Sequence, residues 1–175
     1  MTESFFSRWF SKGKTSTAST EVMQNEDIIL SPVSGQLVDL AKVNDPVFSS
    51  GMMGQGIAIQ PKQGVLYAPA DAEVTIAFET GHAYGLKTVH GAEILLHIGI
   101  DTVSMEGDGF ERLVTEGMPV KAGDKLGVFD LDKIGTAGLE ATTMVIITNS
   151  ADYKEILPSQ TKTVEVGDHL LALKR

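Results

Sequence analysis

Cysteine is absent from the 175-residue chain. Disulfides and thiolate metal sites are therefore excluded, and a reducing compartment is permitted. No apolar run reaches the roughly 18 residues of a transmembrane helix. The N-terminus lacks the apolar core and small-residue cleavage site of a secretory signal. Basic clusters are missing from the body. The formal net charge is −9; residues 1–14 hold Arg8, Lys12 and Lys14 against Glu3, a net of +2, which leaves −11 for the rest. Phosphate contact needs clustered Lys and Arg, so an acidic body argues against nucleic acid and suits a soluble protein with basic partners. A hydrophobic fraction of 42% is enough for one domain with a real core.

Residues 1–26 read as a leader and 27–175 as the folded domain. In the leader, Phe5, Phe6, Trp9 and Phe10 can share one helical face, flanked by Arg8, Lys12 and Lys14 and capped by Ser4. Residues 4–14 are thus a candidate for weak docking on a membrane surface; the alternative is a disordered leader with incidental aromatics. Residues 15–25, T-S-T-A-S-T-E-V-M-Q-N, read as a flexible linker.

From there the pattern is β. Short runs of Val, Ile and Leu fall at 28–30, 36–40, 56–60, 65–68, 73–78, 94–98, 126–129, 144–148 and 170–173, punctuated by Gly, Pro, Asn and Asp. This spacing predicts an all-β sandwich or barrel. Helical turns are expected around Phe110–Glu116 and Leu131–Ala137. An internal repeat is also legible. V-K-A-G-D-K-L-G-V-F at 120–129 matches V-E-V-G-D-H-L-L-A-L at 164–173, and S-P-V-S-G-Q-L-V at 31–38 resembles A-P-A-D-A-E-V-T at 68–75. In each V-x-x-G-D-x-L the Gly-Asp supplies a turn between strands, which suggests duplication.

The chemistry concentrates in two histidines. His97 lies in the strand-like segment A-E-I-L-L-H-I-G-I-D, and His82 lies in F-E-T-G-H-A. A half-buried imidazole on a strand is fixed in orientation, as a nucleophile requires, and titrates near neutral pH. On the residues alone, a core histidine satisfied by a backbone carbonyl is the competing interpretation. His90 and His169 fall in turns and read as surface residues. The glycine-rich G-M-M-G-Q-G at 51–56 lacks the Lys-Ser/Thr and following helix of a P-loop.

Five motifs in one order, P-V-S-G-Q-L-V-D-L, N-D-P-V-F-S-S-G-M-M-G-Q-G-I-A-I-Q-P, Y-A-P-A-D-A-E-V, F-E-T-G-H-A and L-L-H-I-G-I-D-T-V, resemble the glucose-type enzyme IIA of the bacterial sugar phosphotransferase system. The resemblance runs from about Ile28 to Leu173. It implies a duplicated β-sandwich, or barrel-sandwich hybrid, with a few helical turns. It implies a cytoplasmic phosphocarrier that takes phosphate from the protein HPr and passes it to the IIB domain of a sugar permease. On this resemblance His97 is the phosphorylated residue, His82 the second active-site histidine, and Thr80 its partner. Asp45 and Asp101 match acidic positions flanking the pocket, where rim charges mainly steer encounter. Val47, Phe48, Met52, Met53 and Phe78 would supply an apolar collar, methionine being adaptable to several partners; the competing interpretation is core packing, above all for Val47 and Phe78. Gln55 stands where some members carry an acidic residue. The sugar is not readable here, since sugar contacts belong to the permease.

Other classes fit less of the sequence. A zinc hydrolase on a related scaffold would carry an H-x-H pair or H-E-x-x-H, and neither occurs. Zinc could bridge His82 and His97, especially where a partner supplies a third ligand, and would then serve binding and not hydrolysis; no cofactor is otherwise required. A biotinyl or lipoyl carrier would place its lysine in an M-K-M or D-K-A tip, and neither is present. A purely regulatory binding module is a third alternative.

Overall fold

Burial alternates along the strands, and that alternation sets the architecture. The computed structural model describes residues 26–175; the leader helix and linker expected within residues 1–25 lie outside the described residues. In the strand over Glu93–Ile98, Ile94, Leu96 and Ile98 are buried in the main core, while Leu95 and His97 face the other way and are half-buried. A period of two therefore gives this strand one core face and one working face.

The described chain forms fourteen strands. They are β1 (Glu26–Leu30), β2 (Gly35–Val38), β3 (Gln55–Pro61), β4 (Val65–Tyr67), β5 (Ala72–Ala77), β6 (Ala83–Thr88) and β7 (Glu93–Ile98). They continue with β8 (Phe110–Arg112), β9 (Pro119–Val120), β10 (Lys125–Phe129), β11 (Thr143–Ile147), β12 (Glu155–Pro158), β13 (Thr163–Val164) and β14 (His169–Lys174). Two short helices, α1 (Pro46–Ser49) and α2 (Leu131–Thr136), interrupt them. An eight-stranded antiparallel sheet runs β13-β2-β3-β11-β7-β6-β5-β9, and two three-stranded sheets run β1-β14-β12 and β4-β10-β8. The all-β sandwich expected from the sequence is the fold observed.

The sheet order is a palindrome of two equivalent units. β1, β2, β3, β11, β12, β13 and β14 pair among themselves just as β4, β5, β6, β7, β8, β9 and β10 do. The second unit is inserted whole between β3 and β11, and the β7–β11 ladder joins the two. The repeated turns match in detail. Asp124 Oδ2 accepts from the Lys121 amide at 2.8 Å and Asp168 Oδ2 from the Glu165 amide at 2.8 Å. The glycines before them, Gly123 and Gly167, sit at φ +91° and +90°, a region that glycine enters without steric cost.

Around Leu131–Ala137 the expected helical turn is α2, capped by the Asp130 side chain. The turn expected over Phe110–Glu116 is not formed: Phe110–Arg112 is strand β8, paired with β10. Phe110, Leu113 and Val114 have helical spacing, but the ladder to β10 overrides that local pattern.

A second, smaller core covers the outer face of the large sheet. Leu40, Val43 and Phe48 close over Ala58, Met144, Ile146 and Ile100. The covering segment is held by side-chain caps: Asp39 accepts from the Ala41 amide at 3.0 Å, and Asp45 from the Val47 amide at 3.0 Å. Where this cover ends, the working face of β7 is open.

If Asp124 and Asp168 do the same job in the two units, Asp124→Ala and Asp168→Ala should each cost about 1 kcal/mol. Urea unfolding should show similar falls in midpoint with an unchanged slope for both.

Candidate functional site

His97 reaches the surface from the last turn of the β7 pleat, and His82 immediately precedes β6. Ala83 lies opposite His97 in the β6–β7 ladder, and the Ile98 amide donates to the His82 carbonyl at 2.7 Å. This register brings two residues fifteen positions apart into contact. The ring centroids are 5.1 Å apart and the planes meet edge to face at 82°. His82 is 4% exposed, whereas His97 is half-buried.

Each ring has one nitrogen committed. His97 Nδ1 lies 2.8 Å from the Gly99 carbonyl oxygen. A carbonyl only accepts, so Nδ1 carries the proton and Nε2 holds a free lone pair in the neutral ring. His82 Nδ1 lies 2.5 Å from Thr80 Oγ1. Burial pushes the His82 imidazole down to about 4, with the adjoining His97 adding to the effect. Burial also lowers His97; the Gly99 hydrogen bond, Asp45 and Asp101 oppose that shift without reversing it. Both rings are neutral near pH 7, as nucleophilic attack by Nε2 requires.

Gly99 is a site residue that sequence reasoning did not single out. Its φ of +79° and its packing explain why glycine stands there: a Cβ would run into the Thr102 methyl and the Glu140 carbonyl. A glycine two residues beyond a strand-end histidine is the signal that could have marked it.

The rim is mixed. Val47 is 46% exposed, Met52 79%, Met53 37% and Phe78 44%, and the Phe78 ring lies 5.2 Å from that of His82. Phe48 departs from the expected collar. It is 5% exposed, belongs to the smaller core, and tilts against the His97 ring at 5.0 Å and 53°. Its position inside α1 turns it inward, where it buttresses the imidazole instead of offering contact surface. Ile76 and Val103 are exposed apolar residues that the sequence reading did not name. Asp45 caps α1, and Asp101, exposed, adopts a left-handed conformation at φ 59°. Gln55 opens β3, and its amide donates to Ser150 Oγ at 2.8 Å. His90 and His169 are exposed, in a turn and at the start of β14.

Among the described residues no group of three or more His, Cys, Asp or Glu side chains could hold a metal ion. With both Nδ1 atoms engaged, the pair presents two Nε2 ligands, short of the three or four protein ligands of a zinc site. No helix of the described residues is long and apolar enough to cross a membrane.

A duplicated antiparallel sandwich with two neutral imidazoles in contact, the half-buried one having Nδ1 held by a backbone carbonyl and Nε2 uncommitted, has the features of a protein that carries a group on histidine. Residues 27–153 match the family model described as phosphoenolpyruvate-dependent sugar phosphotransferase system, EIIA 1. The chain is 48% identical over 126 residues to the glucose-specific EIIA component of Bacillus cereus, covering 72% of this chain and 76% of that one. It is 44% identical to the glucose-specific EIIA component of Halalkalibacterium halodurans, covering 89% and 90%. It is also 41% identical to the beta-glucoside-specific EIIBCA component of the same organism, covering 94% of this chain and 25% of that longer one. Among solved structures, the glucose permease IIA of Mycoplasma capricolum superposes with a TM-score of 0.80 at 40% identity, covering 85% and 96%. The chain belongs to the EIIA family of the sugar phosphotransferase system, and it is a phosphocarrier component of phosphotransferase-coupled sugar transport.

Stability should carry the mark of the buried neutral His82. The unfolded ring protonates near pH 6.5 and the folded one near 4, so the unfolded state binds the extra proton between those values. Stability is therefore lost as pH falls through that window, by up to about 3 kcal/mol. In His82→Gln, chemical denaturation across this range should show a visibly flatter pH dependence than wild type; an equal slope would count against the assignment.

Proposed function

We propose that His97 accepts a phosphoryl group from phosphorylated HPr on Nε2 and donates it to the IIB domain of a sugar permease. The observation that carries this reading is the fixed tautomer: His97 Nδ1 donates to the Gly99 carbonyl at 2.8 Å and leaves Nε2 free. Nε2 attacks phosphorus in line, and the donor imidazole leaves with the electron pair of the broken N–P bond. Positive charge develops on the His97 ring during attack, and the Gly99 carbonyl against Nδ1–H stabilises it. The transfer is a matter of positioning and charge stabilisation.

His82 acts on the phosphoryl oxygens. In this reading the Thr80 hydroxyl, 2.5 Å from His82 Nδ1, is the donor, so that the His82 proton resides on Nε2 and points a hydrogen bond at the incoming charge. Neutral at working pH, His82 gives a hydrogen bond without a full ion pair, which keeps the phosphorylated state from becoming a trap. Asp45 and Asp101 act in the same direction, because a phosphoryl group carrying close to two negative charges is repelled by both. The same carboxylates steer basic partners toward the hollow. Val47, Met52, Met53 and Phe78 supply the yielding apolar margin on which different partners settle.

The beta-glucoside relatives, whose names join EIIA to EIIB and EIIC, support a IIB partner. The reading places the protein in the cytoplasm, with weak membrane contact through residues 4–14. Zinc would bridge His82 and His97 only where a partner adds ligands, and it would then serve binding while occupying the atom that carries phosphate.

Incubation with phosphoenolpyruvate, enzyme I and HPr tests the assignment. His97→Ala should take up no phosphate; uptake equal to wild type would overturn it. His82→Gln should be phosphorylated but donate to a IIB domain at least about a hundred-fold more slowly. Asp101→Asn should slow phosphorylation at low ionic strength and converge with wild type at high salt, as expected of a steering charge.

A further inference from the structure

Thr102 was not among the residues that the sequence singled out, yet it is 1% exposed and lies directly beneath the His97 loop. Two consecutive peptide groups flank Gly99, and each is held at both ends. In the first, the Gly99 amide donates to the Thr142 carbonyl at 2.9 Å, while the Ile98 carbonyl accepts from the Thr102 hydroxyl. In the second, the Ile100 amide donates to the Glu140 carbonyl at 3.0 Å, while the Gly99 carbonyl accepts from His97 Nδ1 at 2.8 Å. The Thr102 methyl packs against the space a Gly99 side chain would take. With φ at +79°, a small rotation of the first peptide swings the Gly99 carbonyl away from the imidazole.

The other unit of the duplication contains a related strand-end hydroxyl without an imidazole, three residues beyond its carbonyl where Thr102 lies four beyond. At the end of β11 the Ser150 hydroxyl donates to the Ile147 carbonyl, as Thr102 does to Ile98 at the end of β7. The strand-end hydroxyl is thus part of the fold in both units. In the unit that carries His97, it also sets the angle of the carbonyl that fixes the ring.

We propose that Thr102 is a positioning residue for phosphoryl transfer: its hydroxyl locks the Ile98–Gly99 peptide, so that the Gly99 carbonyl holds His97 as the Nδ1–H tautomer with Nε2 free. This rests on His97 as the phosphoryl acceptor. Without the Thr102 hydroxyl, the Gly99 carbonyl drifts, the Nε2–H tautomer becomes populated, and that fraction cannot attack phosphorus.

The test uses the full chain and two readouts: the His97 tautomer by proton–nitrogen correlation NMR, and the rate of phosphorylation by phospho-HPr. Thr102→Ala and Thr102→Ser both lose the methyl and differ only in the hydroxyl. Thr102→Ser should keep the wild-type Nδ1–H signature and rate. Thr102→Ala should show both tautomers and accept phosphate roughly ten-fold more slowly, the low end of what removing an orienting partner of a reactive imidazole costs. Thr102→Val repeats the hydroxyl deletion with the methyl kept, should the alanine variant fail to fold. Ser150→Ala is the control for a purely structural hydroxyl and should lower stability while leaving the His97 tautomer and the rate unchanged. A folded Thr102→Ala or Thr102→Val with the wild-type tautomer overturns the proposal, as does an equal tautomer shift in Ser150→Ala. If wild-type protein takes no phosphate on His97, the reading of the site fails, while the tautomer comparison still decides what Thr102 does.

Discussion

The antiparallel pairing of β6 with β7 is the constraint on which the site depends. It sets Ala83 opposite His97 and ties the Ile98 amide to the His82 carbonyl at 2.7 Å. A one-residue slip in that ladder would turn His97 into the core and Ile98 outward. The register is secured by Ile94, Leu96 and Ile98, none more than 2% exposed. Taking three such side chains out of the core is too costly for the strand to slip. Hydrophobic packing on one face thus positions chemistry on the other, with no interaction between the imidazoles needed to hold them together.

Burial then decides the charge state. Two carboxylates, Asp45 and Asp101, pull His97 toward protonation, and desolvation pulls it away; desolvation is the larger influence. Phe48 leans on the His97 ring from the side that α1 covers, and Met144 stands opposite His97 across the β7–β11 ladder. Asp45 has two effects through one position, capping the helix that carries Phe48 and placing negative charge near the ring. A fully buried His97 would be neutral but unreachable, and a fully exposed one would be reachable but protonated part of the time. The edge of the covering segment is where the ring is both neutral and accessible.

Much of this was legible in the sequence, for identifiable reasons. Strands with continuous Val, Ile and Leu, such as M-V-I-I-T at 144–148, announce themselves because β11 is buried on both faces. β6 was not visible: A-Y-G-L-K-T has no apolar run, and its Gly85 is required by the close approach of Ile76 and Thr75 at the bulge in β5. β9, β12 and β13 are short edge or connecting strands, two of them containing proline, whose identity comes from their partners. The V-x-x-G-D-x-L repeat was readable because its turn is local, with Asp and Gly acting over four residues. The histidines were recognisable by motif, but the His97 tautomer was not, since it depends on the Gly99 carbonyl, whose loop is held by the carbonyls of residues 140 and 142. Resemblance assigns Phe48 to the collar, with core packing as the competing interpretation; it is inside because its segment closes over a sheet face that sequence periodicity cannot assign to a partner.

The duplication explains why one site exists and not two. By ladder register, β7 corresponds to β11 and β6 to β3, so His97 falls where the other unit has Ile146, and His82 where it has Gln55. Ile146 lies in the smaller core, shielded with Leu40, Val43 and Phe48. The segment between β2 and β3 covers one copy of the working face and stops at the other. A fold used twice presents the same two strand positions twice; the long connection seals one pair with apolar side chains and leaves the second at its margin. An imidazole at position 146 would have no route to a partner protein and no carbonyl set at its Nδ1, because Thr148 stands where Gly99 makes its left-handed turn. Function here follows from unequal covering of two equal scaffolds, and the conformation that only glycine enters easily marks the uncovered one.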